Sequence, residues 1–500
     1  MERWYKLDKR YGVLYIKLVF LSLLYIFPVV LANMYYNDDL ARSLYGATGW
    51  SGDGRPLGEA LMLFLCGGEP VSDIAPLPLI LSVFFLSYVL VLYAKANLDS
   101  VYDEILLICI LLFVITNPFA MVNISYRFDS IIMFSALSLP FLIFAMPDAM
   151  SGIRQFIWSF LAGIAIMSLY QAVIGLSAAL FLIHLFYMVL GVRKAAVSGA
   201  WRITGIGTGA LFYKLFIAGR YVSNTDWRYE ASRVVGFSPD FVKIVFGNIV
   251  DACRYIKGYL DGVSRLNQAV LLLFCLGAVG SVTYMYLTDS HKKGGAKAVG
   301  AVFLLASPVL VAVFTFLPLM VLSSLTMRSR ILIAFGVSLL YVGIMLLFFC
   351  RKYGKLRRAA IVLTAACVFF HYTFMYSYGN ALKSQDEYQK YLVYHIAHDL
   401  ESINGSSGFQ SVSFIGQPPK ARQVQKICAK YPFMNELIPV YLDNDTWIGG
   451  VWLYHYLQHD LTIAGNDESD WEVIQSEEPV LRNSVYSCYL NGTRIIVNFH

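Results

Sequence analysis

Charged residues are scarce in this 500-residue chain: Asp, Glu, Lys and Arg make up 14% of it, against roughly 25% in soluble domains. Hydrophobic residues make up 58% and gather in long runs. This composition excludes an ordinary soluble globular protein. Because a bilayer core about 30 Å thick needs roughly 20 apolar residues per helix, the long runs predict a polytopic membrane protein.

Metal-binding motifs, a cleavable signal and internal repeats are missing as well. The eight cysteines form no Cys-x-x-Cys pair and no Cys/His pattern, which counts against a metal site. The first apolar run, Tyr11–Leu31, is too long for the core of a signal peptide and precedes no Ala-x-Ala-like cleavage site, so we interpret it as a retained anchor. The absence of a repeat of fixed period counts against an inverted-repeat transporter.

The apolar runs predict an all-α membrane bundle of about eleven transmembrane helices. The predicted spans are Tyr11–Leu31, Ile74–Ala94, Glu104–Pro118, Ser130–Met146, Phe156–Tyr170, Ala172–Leu190, Ile203–Ala218, Ala269–Leu287, Val299–Leu319, Ile331–Phe349 and Ala359–Tyr378.

The basic residues indicate the orientation of this bundle. They give a net charge of +6 but lie in short clusters between apolar runs, which is the positive-inside pattern, so we expect no nucleic-acid partner. The cluster before the first span places the N-terminus in the cytoplasm, and three later clusters then fall on the same side. These four clusters are Arg3/Lys6/Lys9/Arg10, Arg193/Lys194/Arg202, His291/Lys292/Lys293/Lys297 and Arg351/Lys352/Lys355/Arg357/Arg358.

Composition divides the chain into two predicted domains. Residues 1–380 form the transmembrane domain, whose first outer loop is 34–73. Residues 381–500 are mixed polar sequence and fall outside the membrane by parity, in the periplasm if the membrane is a bacterial inner membrane. We predict a small α/β domain there.

Local patterns predict the elements of that domain. Apolar alternation in Ser411–Ile415 predicts a strand, and Ala421–Lys430 has a helical pattern. Ser484–Leu490 and Thr493–Phe499 flank Asn491-Gly492, which is typical of a hairpin.

Five side chains of the C-terminal domain have two interpretations. Cys428 and Cys488 form either a disulfide in an oxidising compartment or two buried thiols. Trp447, Trp452 and Tyr454 either stack on acceptor sugars or, as most aromatic residues do, pack in the core.

The first outer loop carries an acidic pair directly after the first span, in Asn37-Asp38-Asp39. The following Leu-Ala-Arg-Ser-Leu-Tyr-Gly has the apolar spacing of a short helix. In a purely structural interpretation, Asn37 or Asp38 caps this helix and Asp39 pairs with Arg42. Since neighbouring residues point in different directions, one carboxylate can instead face a cleft.

A turn and a second short helix follow in the same loop. Gly52-Asp53-Gly54-Arg55-Pro56 is typical of a turn, and Pro56 suits the first position of a helix over Leu57–Leu65. Nine apolar residues cannot cross a membrane, so we expect this helix in the interface plane. Glu59 is more typical of a solvated helix face than of a binding site.

Later outer loops add charged and aromatic residues. Arg127 and Asp129 lie at the edge of a span and are either a structural ion pair or functional. Tyr170 suits an interface anchor. Arg328 and Arg330 are basic yet outside, and guanidinium groups grip phosphate, whether of a lipid-linked substrate or of ordinary headgroups. A carboxylate near such arginines suggests a general base beside a departing phosphate.

These segments together resemble the Gtr family of membrane glucosyltransferases, the serotype-converting enzymes of temperate phages and enteric bacteria. The resemblance runs from about Asn33 to the tenth predicted span and excludes the C-terminal domain. The segments that carry it are NDDLARSLYGATGWSGDGRPLGEALM, NPFAMVNISYRFDS, SLYQA and TMRSR.

The resemblance implies a GT-C-like fold and an activity in the bacterial inner membrane. The donor would be undecaprenyl-phosphate glucose, supplied by a companion bactoprenol glucosyltransferase and a companion flippase. The acceptor would be a lipid-linked O-antigen repeat, modified on the periplasmic side. No cofactor is predicted, and a divalent metal is left open, because two adjacent carboxylates fall short of the roughly six oxygen ligands of a hard cation.

The resemblance also assigns roles to residues. The acidic pair of the first outer loop supplies the catalytic candidates, and arginines of several loops supply the candidates for the donor phosphate. The catalytic candidates are Asp38 and Asp39, and the substrate-binding candidates are Arg55, Arg127, Arg328 and Arg330, with Asp129 as an orienting partner of Arg127 and Asp53 and Glu59 as weaker candidates.

Two other classes of function compete with this one. A transporter or flippase of lipid-linked sugar should hold paired ionisable residues at the midplane, but His184 is the rare ionisable residue deep inside a span. An O-antigen polymerase or acetyltransferase is the second alternative. An acetyltransferase should need a reactive His, and no outer-loop His/acid pair precedes His371.

Overall fold

The computed structural model describes residues 4–192, 196–222, 233–236, 239–289, 294–443, 447–457 and 462–500. Packing contacts divide the chain into two compact units. We call them the membrane unit, which comprises Met1–Phe27, Thr48–Glu69 and Ile74–Tyr376, and the C-terminal unit, which comprises Pro28–Ala47, Pro70–Asp73 and Ser377–His500.

Most of the chain up to residue 407 is helical. In chain order the α-helices are α1 Lys9–Ala32, α2 Asp39–Tyr45, α3 Pro56–Cys66, α4 Leu77–Leu98, α5 Glu104–Ile115, α6 Met121–Ser125, α7 Asp129–Phe144, α8 Gly152–Leu169, α9 Gly175–Val189, α10 Ala196–Phe212, α11 Phe241–Asp261, α12 Arg265–Leu287, α13 Gly294–Thr315, α14 Leu317–Met320, α15 Gly336–Lys352 and α16 Arg357–Ser407. Short 3₁₀ segments are Asp99–Val101, Pro118–Ala120, Gln171–Val173, Ala218–Arg220, Ser329–Phe335 and Gly354–Leu356, and Tyr213–Ile217 is a π-helical turn.

Within the described residues, eight helices are long and apolar enough to cross a membrane. They are Lys9–Ala32, Leu77–Val101, Gly152–Leu169, Gln171–Val189, Arg265–Leu287, Gly294–Thr315, Ser329–Lys352 and Gly354–Ile403. A pair bent by 42°, Glu104–Ile115 with Pro118–Ser125, gives a ninth if it counts as one span. These helices fit a membrane protein.

The predicted count of about eleven spans is not confirmed. The expected span Ser130–Met146 is the shorter helix α7, and Ile203–Ala218 falls on α10 and the π-helical turn after it. The expected span Glu104–Pro118 is one arm of the bent pair, because Pro118 lacks the N–H needed to continue α5. Hydropathy registers apolar runs but not the length of the helix that each run forms. Arg193, Lys194 and His291–Lys293, used to predict orientation, lie outside the described residues.

Helices α8 and α10 pack at backbone distance because glycines line their crossing. A Cβ atom added to Gly163 would lie 2.3 Å from the carbonyl oxygen of Ile206, and one added to Gly209 would lie 2.1 Å from that of Phe160. Small residues at a helix crossing let the two backbones approach closely, which is a common way to associate helices in membranes.

The C-terminal unit contains a small sheet with short helices. Its strands are β1 Ser411–Ile415, β2 Thr462–Ile463, β3 Leu481–Arg482, β4 Tyr486–Asn491 and β5 Arg494–Phe499, and its later helices are α17 Arg422–Lys430, α18 Met434–Leu437, α19 Trp447–Tyr454 and α20 Glu468–Ser476. The predicted strand over residues 411–415, the helix ending at Lys430 and the hairpin around Asn491-Gly492 are confirmed.

The sheet has the strand order β2-β1-β5-β4-β3. Strand β1 runs parallel to both β2 and β5, whereas β5-β4 and β4-β3 are antiparallel pairs. Ile415, Tyr489 and Ile496 form a buried cluster on one face, and Val473 and Ile474 of α20 cover it.

The two cysteines of the C-terminal unit are buried free thiols, so the predicted disulfide alternative is wrong. Cys428 lies on α17 and Cys488 in β4. Each thiol lies on a separate secondary-structure element and is buried. Burial raises the pKa of the Cys488 thiol to about 12.

Candidate active site

Asp129 and Arg55 form the centre of a polar cluster in the membrane unit. Arg55 directly precedes α3, and Asp129 is the buried first residue of α7. The Arg55 Nη1 donates to Asp129 Oδ1 at 3.3 Å, and the indole Nε1 of the buried Trp50 donates to the same oxygen at 2.9 Å. A buried carboxylate needs such donors to offset its lost hydration. Asp129 thereby orients the Arg55 side chain.

Tyr170 connects Arg55 with a second arginine. The guanidinium carbon of Arg55 lies 5.1 Å from the centre of the Tyr170 ring, within the range of a cation–π contact. The Tyr170 hydroxyl donates to the carbonyl oxygen of Arg330 at 3.0 Å, and the Arg330 Nη1 donates to the hydroxyl oxygen of Tyr126 at 3.0 Å. We call Trp50, Arg55, Tyr126, Asp129, Tyr170 and Arg330 the arginine cluster.

The arginine cluster has donor capacity left for a ligand. The Arg55 Nε is buried and meets no hydrogen-bond acceptor among the described residues. Arg55 and Arg330 set two positive charges beside the carboxylate of Asp129. A half-buried pair of guanidinium groups is suited to an anion such as phosphate, which accepts bidentate hydrogen bonds.

The turn that carries Arg55 is fixed from two sides. Glu59 Oε2 accepts the backbone N–H groups of Gly49 and Ser51 at 3.1 and 2.9 Å. Glu59 is therefore half-buried and holds the turn, which corrects its interpretation as a solvated residue. On the other side, the carbonyl oxygen of Gly54 accepts bonds from Gln171 Nε2 at 2.7 Å and the Tyr213 hydroxyl at 2.5 Å.

The segment that carries Arg330 is anchored by asparagines. Asn123 Nδ2 donates to the carbonyl oxygen of Arg330 at 3.2 Å, and Asn117 Nδ2 donates to those of Leu332 and Ile333 at 2.9 Å. The backbone of Arg330 is therefore positioned independently of its side chain. Arg328, two residues earlier, is exposed.

The acidic pair lies in the C-terminal unit, at the start of α2. Asp38 forms an ion pair with Arg42, one helical turn later. Asp38 Oδ2 lies 3.0 Å from Arg42 Nε and 2.9 Å from Arg42 Nη2. Asp38 occupies the N-cap position but makes no capping hydrogen bond with its side chain, so the expected cap is wrong for Asp38. Its other oxygen, Oδ1, accepts no hydrogen bond from the described residues, and its side chain is 32% exposed.

Asp39 is fully buried. Its Oδ2 accepts the backbone N–H of Tyr36 at 3.1 Å, while its own N–H donates to the carbonyl oxygen of Tyr36 at 3.2 Å. This reciprocal pair closes the turn into α2. Arg42 pairs with Asp38, where the structural interpretation had assigned it to Asp39. The structure thus separates an accessible aspartate from one that closes the turn.

Tyr441 fixes the segment before α2. Its hydroxyl accepts the N–H of Asn37 at 2.7 Å and donates to the carbonyl oxygen of Tyr35 at 3.1 Å. The Tyr441 ring stacks on the buried Trp452, with centroids 5.8 Å apart. Trp452 therefore packs in the core, as expected for most of the aromatic residues of this domain.

The structure brings together some of the predicted site residues and adds others. Arg55, Asp129 and Arg330 meet in the arginine cluster. Arg127 and Asp53 are half-buried and precede Asp129 and Arg55 by two residues in the sequence. The predicted pairing of Arg127 with Asp129 stays a prediction. Sequence reasoning missed Trp50 and Tyr126 and took Tyr170 for an anchor. The position of Trp50 inside the polar turn was the one available signal.

The remaining ionisable candidates lie inside the bundle. His184 packs edge-on to Phe144, and His371 Nδ1 lies 3.1 Å from the Thr116 hydroxyl; both histidines are buried. No group of three or more His, Cys, Asp and Glu side chains in the described part of the chain could hold a metal ion.

Comparison with known proteins places the chain among glycosyltransferases. A family model described as glucosyl transferase GtrII matches residues 27–378. A Salmonella phage P22 protein, described as an uncharacterized 55.3 kDa protein in the gtrB 5' region, is 26% identical over 490 residues, which cover 96% of this chain and 97% of the phage protein. No solved structure matches the chain.

Proposed function

Because the chain belongs to the glucosyl transferase GtrII family, we propose that it transfers glucose from undecaprenyl-phosphate glucose to lipid-linked O-antigen repeats. The reaction is that of a GT-C-type enzyme at the periplasmic face of the bacterial inner membrane, and it modifies lipopolysaccharide in serotype conversion. A bactoprenol glucosyltransferase and a flippase supply the donor. The observation that carries this proposal within the matched region is the arginine cluster, whose two guanidinium groups suit a lipid-linked phosphate.

The proposed chemistry divides into an acid–base part and a phosphate part. Asp38 Oδ1 accepts the proton of the acceptor hydroxyl, and the hydroxyl oxygen bonds to the anomeric carbon of glucose. The bond from that carbon to the phosphate oxygen breaks, and undecaprenyl phosphate leaves with the electron pair. Arg55 and Arg330 are the candidates for binding the donor phosphate, since fixed positive charge favours the anion that develops on it.

Asp38 is the better base of the acidic pair. Its Oδ1 is open to a ligand while Arg42 fixes Oδ2, whereas Asp39 is fully buried and bonded to the turn. A positioned general base contributes typically 10²–10⁴ in rate. We therefore assign proton abstraction to Asp38 and the positioning of the loop to Asp39.

The test replaces each aspartate and measures the mass of the O-antigen repeat in cells that express the chain. Wild type should add one hexose per repeat. Asp38→Asn should lower the transfer rate at least about 100-fold, and Asp39→Asn should lower it less, because an amide oxygen still accepts the Tyr36 N–H. The exposed Asp251 provides a matched control, since Asp251→Asn removes a carboxylate on α11.

Three results would contradict the proposal. An acetyl increment in place of a hexose would indicate acylation, and a changed distribution of chain lengths without a mass increment would indicate polymerisation. Full hexose transfer by both single variants and by the double variant would overturn the assignment of the base.

A further inference from the structure

Helix α2 carries an ordered stripe of side chains that leads away from Asp38. Asp38, Arg42 and Tyr45 follow at intervals of four and three residues, which places them on one face of a helix. The stripe is two turns long, about 10 Å at 1.5 Å per residue. At its far end the Tyr45 side chain is 56% exposed, although it is large and mostly apolar.

A second helix of the same unit adds two more exposed rings. Trp447 and Tyr454 are seven residues apart on α19, again on one face, and are 59% and 40% exposed. Tyr454 meets Tyr45 with ring centroids 6.2 Å apart and planes tilted by 36°. These three rings form what we call the aromatic surface. It corrects the expectation of core packing for Trp447 and Tyr454, which holds for Trp452.

The aromatic surface is unusual because three large rings stay exposed and gain little from burial within the unit. Exposed aromatic groups that adjoin charged side chains commonly mark binding sites. A sugar ring suits this combination, since its C–H face stacks on an aromatic ring while its hydroxyls donate hydrogen bonds to a carboxylate such as that of Asp38, which the buried Arg42 holds in place. A lipid tail would bring only apolar atoms to this carboxylate.

We infer that the aromatic surface binds the acceptor glycan at a sugar other than the one that receives glucose. The inference rests on the proposed function, because it takes Asp38 as the base at the reacting hydroxyl. The distance of about 10 Å from Asp38 to Tyr45 along α2 exceeds the length of one pyranose ring. A neighbouring sugar of the repeat therefore lies on Tyr45 and Tyr454, and its binding sets which hydroxyl reaches Asp38.

The test measures glycan binding by the full chain in lipid nanodiscs, separately from transfer. The probe is a panel of delipidated enterobacterial O-polysaccharides of known repeat structure, followed by surface plasmon resonance. Wild type should bind at least one member. Tyr45→Ala and Tyr454→Ala should each weaken that binding roughly tenfold, as expected for the loss of a stacked ring. Tyr454→Phe, which keeps the ring, should bind as wild type does.

A matched control is Trp471→Ala, which removes a 48%-exposed ring from α20 of the same unit and should leave binding unchanged. Melting curves of all variants separate loss of binding from loss of folding. In transfer assays, Tyr45→Ala should raise the KM for the lipid-linked acceptor roughly tenfold and leave the KM for the donor unchanged.

Each outcome tests one of the two proposals. The inference is overturned if no panel member binds wild type, or if Tyr45→Ala and Tyr454→Ala bind and transfer as wild type does while hexose transfer is intact. If wild type binds a polysaccharide through the aromatic surface but adds no hexose to it, the inference on glycan binding stands and the proposed function fails.

Discussion

Tyr170 contacts two arginines at once. Its ring faces the Arg55 guanidinium, and its hydroxyl binds the backbone of Arg330. The two contacts use different parts of one side chain, so they can be removed one at a time. If the arginine cluster holds the donor phosphate, the ring contact should matter for donor binding more than the hydroxyl contact, because Asn123 also binds the Arg330 carbonyl.

We predict that Tyr170→Phe changes the KM for undecaprenyl-phosphate glucose by less than about threefold, whereas Tyr170→Leu raises it roughly tenfold. The difference reflects a cation–π contact, which contributes about 0.5–2 kcal/mol. Steady-state kinetics on purified protein with the acceptor held in excess measure both values. Equal effects of the two substitutions would show that the ring does not support Arg55.

The positions of charged residues could be predicted from the sequence better than the contacts of aromatic side chains could. Arg55 and Arg330 stand out because charged residues are scarce in the chain and these two fall in predicted outer loops. Trp50 and Tyr170 do not, since buried rings occur throughout the bundle and the indole N–H bond to Asp129 joins residues 79 positions apart. Only the folded chain reveals such a partner.

The crossing of α8 and α10 depends on glycines, which have no side chain. Gly209 lies against the backbone of Phe160, and a backbone carbonyl cannot rotate away as a side chain can. Gly207, two residues earlier on α10, has nothing within 4 Å of the position of a Cβ atom. The two glycines therefore provide a matched pair.

We predict that Gly209→Ala lowers the melting temperature of the detergent-purified protein, at a cost of about 1–3 kcal/mol for the forced separation of two packed helices. Gly207→Ala should leave the melting temperature unchanged or raise it, because alanine favours a helix over glycine. Differential scanning fluorimetry compares the two with wild type. A similar loss in both variants would contradict the close packing at Gly209.

The sequence predicted elements with strong local signals more reliably than elements decided by length. The hairpin of β4 and β5 followed from Asn491-Gly492 between two apolar runs, since few turns other than a tight hairpin accept that pair. The number of spans did not follow, because Pro118 and the 42° bend divide one apolar run while α7 is short for a bilayer. A hydropathy profile does not show where a helix bends.

The predicted topology of the chain places the two ends of α12 on opposite sides of the membrane. Cys253 on α11 is exposed on the predicted periplasmic side, and Thr288, directly after α12, is exposed on the predicted cytoplasmic side. Burial holds the pKa of the Cys488 thiol near 12, so this thiol stays protonated and poorly nucleophilic at neutral pH.

We predict that a membrane-impermeant maleimide labels Cys253 in intact cells whose outer membrane has been permeabilised, and that Cys253→Ser abolishes this labelling. In the Cys253→Ser background, Thr288→Cys should react only after the cells are lysed, and Cys488 only after denaturation. Labelling of Thr288→Cys in intact cells would reverse the predicted orientation. Mass spectrometry of the modified peptides identifies each site.

The first predicted outer loop is divided between the two compact units, which determines how chimeras of such enzymes can be made. Residues 28–47 and 70–73 belong to the compact unit that contains the sheet, and residues 48–69 belong to the membrane unit. A chimera that exchanges only residues 377–500 would separate α2 from Tyr441 and α19 and so break the packing of that unit. Exchanging the C-terminal unit between relatives therefore requires a discontinuous exchange, in which residues 28–47 and 70–73 are transferred together with residues 377–500.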